Sequence, residues 1–228
     1  MKNFTLMRGL FLATIAVAFF FLPAYTANNV KLIPGAENRL SVNESSYSKL
    51  QVTNVVNDLS FLEISTSKGM FSELLVAGYS KSTIAGDPQL PVLSRLIEVP
   101  ADAVPEVRVI SYDMQEYQLT AWGVNDKLFP SQPPQPKNRQ AGDVVYNAAT
   151  YSINQFLGGE LASVNVDGYL RGVRLGNLVI SPVQYNPVTN VVRIYNNMVV
   201  EVCFTGANIA KTNDNRSRYD SPYFRSIY

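Results

Sequence analysis

The 228-residue sequence contains no histidine. That excludes His-based catalytic triads and dyads, imidazole metal sites and pH switches built on imidazole. It has one cysteine, so neither an internal disulfide nor a CxxC redox or zinc motif can form. Neither sign of charge is in excess: 19 Lys and Arg face 18 Asp and Glu, without the basic patch of a nucleic-acid binder. A G-x-S-x-G nucleophile motif, a glycine-rich phosphate loop and a calcium loop are missing as well. What is there, 46% hydrophobic with 13 Gly and 13 Pro, is the composition of a folded globular chain.

The first residues read as an export signal. Lys2 and Arg8 form a basic start, residues 10–22 (LFLATIAVAFFFL) an apolar run, and Pro23 with Ala24-Tyr25-Thr26-Ala27 a break and small-residue exit. That is the order of a secretory signal peptide over residues 1–26, and its apolar run is shorter than the roughly 20 residues of a membrane span. An uncleaved N-terminal anchor is the rival reading. Loss of Lys2 and Arg8 with the signal turns the net charge of +1 into −1. The rest works outside the cytoplasm, with no stable membrane insertion, and is long enough to bury a core without a disulfide.

Residues 27–50 are polar and turn-rich, a loose lead-in with one short strand. Four β-favouring runs follow, at 59–64, 70–76, 93–99 and 107–111, each bounded by Gly, Pro, Asp or Asn. The segment 84–91, with Gly86-Asp87 and two prolines, is a turn. Residues 117–122 add another possible strand. No stretch carries an apolar helical stripe of about 12 residues, and the best candidate, 150–162, is broken by Gly158-Gly159. Towards the end, 178–184 and 191–195 form a hairpin about the turn 185–190, Asn196-Asn197 is a second turn, and 198–204 is a last strand. In that strand Val200, Val202 and Phe204 share one face, and Glu201 and Cys203 the other. Cys203 has no base or cation nearby in sequence and reads as an inert thiol. The expected fold is all-β: an antiparallel, sandwich-like domain of short strands with little helix.

Two regions stand apart. In 131–136 (SQPPQP) three prolines precede the polar Lys137-Asn138-Arg139-Gln140, so 130–143 is an exposed loop with basic side chains at its far end. It is either an ordinary linker between two lobes or a presented, protease-accessible segment. The tail from Asn208 lacks apolar periodicity, carries Arg216, Arg218 and Arg225, and ends on aromatic residues, as at a boundary to something else. Carboxylates are scattered; Asp87 and Glu98 have no motif that pairs them for glycosidase chemistry. Thirteen tyrosines suit a sugar or protein surface but equally sheet packing. The residues alone support an exported, non-enzymatic β module that binds a protein.

Residues 171–195 (RGVRLGNLVISPVQYNPVTNVVRIY), continuing NNMVVEV to 202, resemble the prodomain of gingipain-type cysteine peptidases, peptidase family C25. TSKG at 66–69, GDPQLPVLSR at 86–95 and FLGGE at 156–160 are similar to the same prodomain, in the same order. The resemblance covers about residues 48–228. It implies a zymogen exported by a Gram-negative bacterium of the Bacteroidota, to the periplasm, the cell surface or the medium. There the β-rich domain 27–228 assists folding of a cognate catalytic domain and keeps it latent. It implies no cofactor, and no catalytic residue in this chain. A loop starting at Pro130 would present Lys137 or Arg139 to the protease cleft, the proline-rich stretch leaving the register open. The tail 207–228 would be the junction to the catalytic domain, with Arg216, Arg218 and Arg225 as processing positions. An exported surface-assembly or binding protein, and a carbohydrate-binding or carbohydrate-active sandwich, remain the other readings.

Overall fold

The computed structural model describes residues 27–134, 143–219 and 222–223; the signal segment 1–26 lies outside them. Twelve strands follow one another: β1 (Ala27–Lys31), β2 (Arg39–Ser45), β3 (Lys49–Val55), β4 (Asp58–Thr66), β5 (Gly69–Val76), β6 (Ser80–Lys81), β7 (Pro91–Glu98), β8 (Val104–Gln118), β9 (Ala162–Leu170), β10 (Val173–Ile180), β11 (Val183–Asn186) and β12 (Val191–Thr205). A 3-10 turn (Leu119–Trp122) and a short helix α1 (Ala148–Tyr151) connect β8 to β9, and α2 (Ile209–Tyr219) follows β12. All the strand pairings are antiparallel, as expected of an all-β chain without crossover helices.

Three sheets result: β1-β4-β5, β6-β7-β10-β9, and a central one in which β12 pairs with β8 along one edge and with β11 and then β3 along the other. β2 completes this sheet beyond β3. One core gathers Leu59, Phe61 and Leu74 of the first sheet against Val192 and Ile194 of β12. A second gathers Leu93, Leu178 and Ile180 against Met198, Val200 and Val202. Ile194 and Tyr195 are neighbours in the chain yet belong to different cores, because successive side chains of a strand point to opposite faces. One strand thus serves both.

The junction lies at Asn196-Asn197, where a turn was expected. β12 runs straight through it with a β-bulge: Asn196 lies opposite Asp113 and Val199 opposite Ser111, one residue too many on β12. Asn197 takes up the distortion with φ 46°, and its side chain donates to Asp113 Oδ2 at 2.7 Å. Asn tolerates the left-handed region better than most residues. The bulge moves even-numbered positions from the first core to the second.

Other expectations are corrected. The lead-in 27–50 holds β1, β2 and the start of β3, not one strand. β3 carries Leu50, Val52 and Asn54, which alternate into the interior. The run 178–184 is split by Pro182 into the end of β10 and the start of β11, and the turn tightens to residues 187–190. There the buried Asn186 side chain accepts from the amides of Val188 and Thr189. Residues 117–122 are the end of β8 and the 3-10 turn rather than a separate strand.

The tail is the largest correction. Residues 209–219 form a helix although they lack an apolar stripe, because α2 is held by polar contacts. Thr212 is buried; its Oγ1 accepts from the Ala101 amide at 2.8 Å and donates to the Asn208 carbonyl at 2.8 Å. Lys211 pairs with Asp102 at 2.6 Å, and Tyr47 donates to Asn213 Oδ1 at 2.8 Å. Periodic hydrophobicity is the usual helix signal, and a helix docked by side-chain hydrogen bonds does not carry it.

Candidate functional site at the loop stem

The outgoing arm of the 130–143 loop starts in the interior. Lys127 and Phe129 exchange backbone hydrogen bonds with Ser72 of β5, at 2.9 and 2.8 Å. The chain then pairs with the turn after β6: Gln89 N–H donates to Phe129 O at 2.9 Å and Ser131 N–H to Asp87 O at 2.8 Å. Pro88 and Pro130 face each other between these bonds. That is a pair position from which no amide points across the ladder, so the two missing N–H groups cost nothing.

Gly86 then joins both arms of the loop. Its N–H donates to Ser131 O at 2.8 Å, and its carbonyl accepts from Asn147 N–H on the returning arm at 3.0 Å. It has φ +86°, and a Cβ there would lie 3.1 Å from the Asn147 nitrogen. Only glycine meets both demands. The Asn147 side chain donates to Asp87 Oδ1 at 3.0 Å and caps α1 by accepting from Thr150 N–H at 3.3 Å. The arms also touch directly. Gln132 Oε1 accepts from Val145 N–H at 2.9 Å while Nε2 donates to Val145 O at 3.0 Å, across thirteen positions of chain. One side-chain amide closes the loop like a rung of backbone ladder.

Beneath the arms lies an aromatic floor of Phe71, Phe129, Tyr146 and Tyr151, with ring centroids 4.5 Å apart for the two tyrosines. Tyr151 is buried and donates to Leu128 O at 2.5 Å; burial pushes its hydroxyl well above the usual tyrosine range. Ser131 is 1% exposed and donates to Ser82 O at 2.7 Å. Beside the stem a groove of about 650 Å³ is lined by Ser82, Ile84, Asp87, Phe156 and Gly158. These contacts set the positions at which the two arms leave the body of the domain.

Of the expected site residues, Pro130 sits in this base, while Lys137 and Arg139 lie outside the described residues, as does Arg225. Arg216 and Arg218 are 45% and 66% exposed on α2; Arg216 pairs with Glu98 of β7 and Arg218 with Asp214 one turn back. Asp87 and Glu98 line different grooves and are engaged by Asn147 and Arg216, so they form no carboxylate pair. Cys203 stands on the Glu201 face as expected, 3.5 Å from Glu201 Oε1; desolvation and that carboxylate raise its thiol above the usual range. Among the described residues no cluster of three or more His, Cys, Asp or Glu offers a metal site. Gln132 and Asn147 carry no local signal, since their partners lie elsewhere in the chain; Pro130 and the Gly86-Asp87-Pro88 turn are the parts of the base legible in the sequence.

The family model of the C25 propeptide (Propeptide_C25) matches residues 29–219. Lys-gingipain HG66 of Porphyromonas gingivalis is 34% identical over 224 residues, which is 97% of this chain and 13% of the relative. Gingipain R1 of the same species is 30% identical over 190 residues, 82% of this chain and 18% of that protein. The chain therefore spans about an eighth of the Lys-gingipain sequence. Among solved structures, one described as "Structural insight into zymogenic latency of gingipain K from Porphyromonas gingivalis" aligns over 80% of this chain and all of its own, with TM-score 0.74 and 34% identity. Another, "Complex of Porphyromonas gingivalis RgpB pro- and mature domains", aligns over 81% of this chain and 97% of its own, with TM-score 0.65 and 25% identity.

Proposed function

This chain belongs to the C25 propeptide family, and on that premise we propose that it keeps a gingipain-like cysteine peptidase domain latent and assists its folding. In this reading the chain leaves catalysis to the peptidase domain, which agrees with its lack of histidine and with a single thiol that is raised rather than activated. The observation that carries the reading is the doubly tied loop base, in which Gly86 and Gln132 hold both arms over a buried aromatic floor. Arms tied at their base suit a loop whose basic side chains meet an acidic specificity pocket, because their separation is set before binding. In this reading Lys137 or Arg139 enters the cleft, residues 1–26 direct export from a Gram-negative cell, and the tail 207–228 joins the domain to its peptidase. Arg216, Arg218 and Arg225 are the processing positions. A carbohydrate-active reading draws no support from Asp87 and Glu98, which line different grooves and do not face each other.

The test is inhibition. The full chain, freed of its signal by the secreting host, is titrated against the separately produced catalytic domain of the C25 peptidase from the same genome, with Lys137→Ala and Arg139→Ala alongside. Stoichiometric inhibition, weakened in one variant, is the expected result. A folded chain that neither binds nor inhibits overturns the latency reading.

A further inference from the structure

We propose that Gln132 is the positioning residue of the loop: its paired bonds to Val145 fix the separation and direction of the two arms, and so the geometry in which the intervening span meets a protease. The proposal rests on the latency reading for its consequence but on the stem alone for its mechanism.

Below this point Tyr151 of α1 donates to Leu128 O and joins the arms at their base, and each arm has further anchors of its own. The outgoing arm is held through Phe129 and Ser131, the returning arm through Asn147 and α1. Gly86 links them, but it does so through a third segment. Past Ser131 and Asn147 the backbone ladder ends, and among the described residues the Gln132–Val145 pair is the tie between the arms that lies nearest the intervening span. Gln132 Nε2 also donates to Pro130 O at 2.9 Å, which fixes its own rotamer against the outgoing arm. The side-chain amide thus satisfies Val145 N–H and C=O together, as a neighbouring strand would.

A carboxamide is required for this. Val145 offers one donor and one acceptor, and Gln has the matching acceptor and donor at the needed reach. Glutamate keeps the acceptor but sets an anion against the Val145 and Pro130 carbonyls; alanine supplies neither contact. Gln132 is half-buried and belongs to neither hydrophobic core, so its loss leaves the body of the fold in place. Without the tie the two arms must be brought to their bound separation at the moment of binding, which weakens inhibition, and trypsin cuts between them faster.

The experiment compares wild type, Gln132→Ala and Gln132→Glu as full chains, with three readouts: unfolding midpoint, inhibition constant against the C25 catalytic domain, and the rate at which trypsin nicks between residues 132 and 145. The expected result is an inhibition constant raised about tenfold and nicking accelerated severalfold in both variants, with wild-type-like midpoints. Wild type that inhibits alongside variants equal to it in both rates overturns the positioning role and leaves latency intact. If wild type itself fails to inhibit, the latency reading falls, and the nicking rate decides the clasp by itself: unchanged, it overturns the proposal; accelerated, it upholds the tie as a feature of the loop. Variants with a lowered midpoint and proportionate sensitivity throughout the chain overturn it in favour of a merely structural residue.

Discussion

Arg216 of α2 forms an ion pair with Glu98 of β7, and the same guanidinium lies 5.9 Å above the Tyr47 ring. The pair joins the last helix to the end of β7 and adds to the Thr212, Lys211 and Asn213 contacts that hold α2 on the sheets. Glu98→Gln removes the charge and keeps the shape. An exposed pair of this kind is worth at most about 1 kcal/mol, so the domain's midpoint shifts little. The helix alone loosens, and trypsin cleavage after Arg216 and Arg218 accelerates severalfold relative to cleavage elsewhere, read by mass spectrometry of the early fragments.

The start of α2 depends on pH through Asp102 and Lys211. The Lys211 ammonium hydrogen-bonds the Asp102 carboxylate and holds it below its ordinary range, and Asp102 raises Lys211 in turn. A depressed carboxyl contributes docking above its unfolded value of about 3.9, lost as pH falls through the folded one. A raised lysine contributes below its unfolded value of about 10.4, lost as pH rises through the folded one. The Ala101 amide, which donates to Thr212, should therefore hold one chemical shift across neutral pH and move at both extremes. Lys211→Met should abolish the upper transition; an unmoved profile refutes the coupling.

Gly86→Ala is expected to destabilise the domain by about 1–3 kcal/mol, from a strained φ and from a methyl pressed on the Asn147 backbone. Denaturant unfolding measures the loss. Inhibition should fall further than stability does, because the displaced atoms are those that join the two arms.

The aromatic floor separates packing from hydrogen bonding. Tyr151→Phe leaves the Leu128 carbonyl without its side-chain partner and should cost about 1–3 kcal/mol. Tyr151→Ala opens a cavity beneath both arms and should cost about 3–5 kcal/mol. Equal losses in urea titrations would mean that the hydroxyl, not the ring, holds the floor together.

Cys203 should react with iodoacetamide several times more slowly than free cysteine at pH 8, since desolvation and Glu201 raise its thiol. Cys203→Ser should leave inhibition unchanged. A fast-reacting thiol would point to an activating partner that the fold does not show.

The sequence by itself determined what depends on neighbours along the chain. Alternation in 198–204 put Val200, Val202 and Phe204 on one face, the one the fold buries, and Cys203 on the other; Gly86-Asp87-Pro88 marked the turn, and the missing histidine excluded His-based catalysis. Local propensity and side-chain period decide such things, and both can be read residue by residue. The tertiary structure alone decided what depends on distant partners. Asn196-Asn197 looks like a turn but becomes a bulge, because β8 continues past it and keeps both halves of β12 paired. Residues 209–219 look unstructured but form a helix, because Ala101, Asp102 and Glu98 supply contacts more than a hundred positions away. Gln132 looks like any polar residue in a proline-rich loop, and the fold makes it a clasp by bringing Val145 within 3.0 Å. A hydrogen bond between segments distant in sequence leaves no period or composition behind it, so only the folded chain reveals which polar side chains hold the loop.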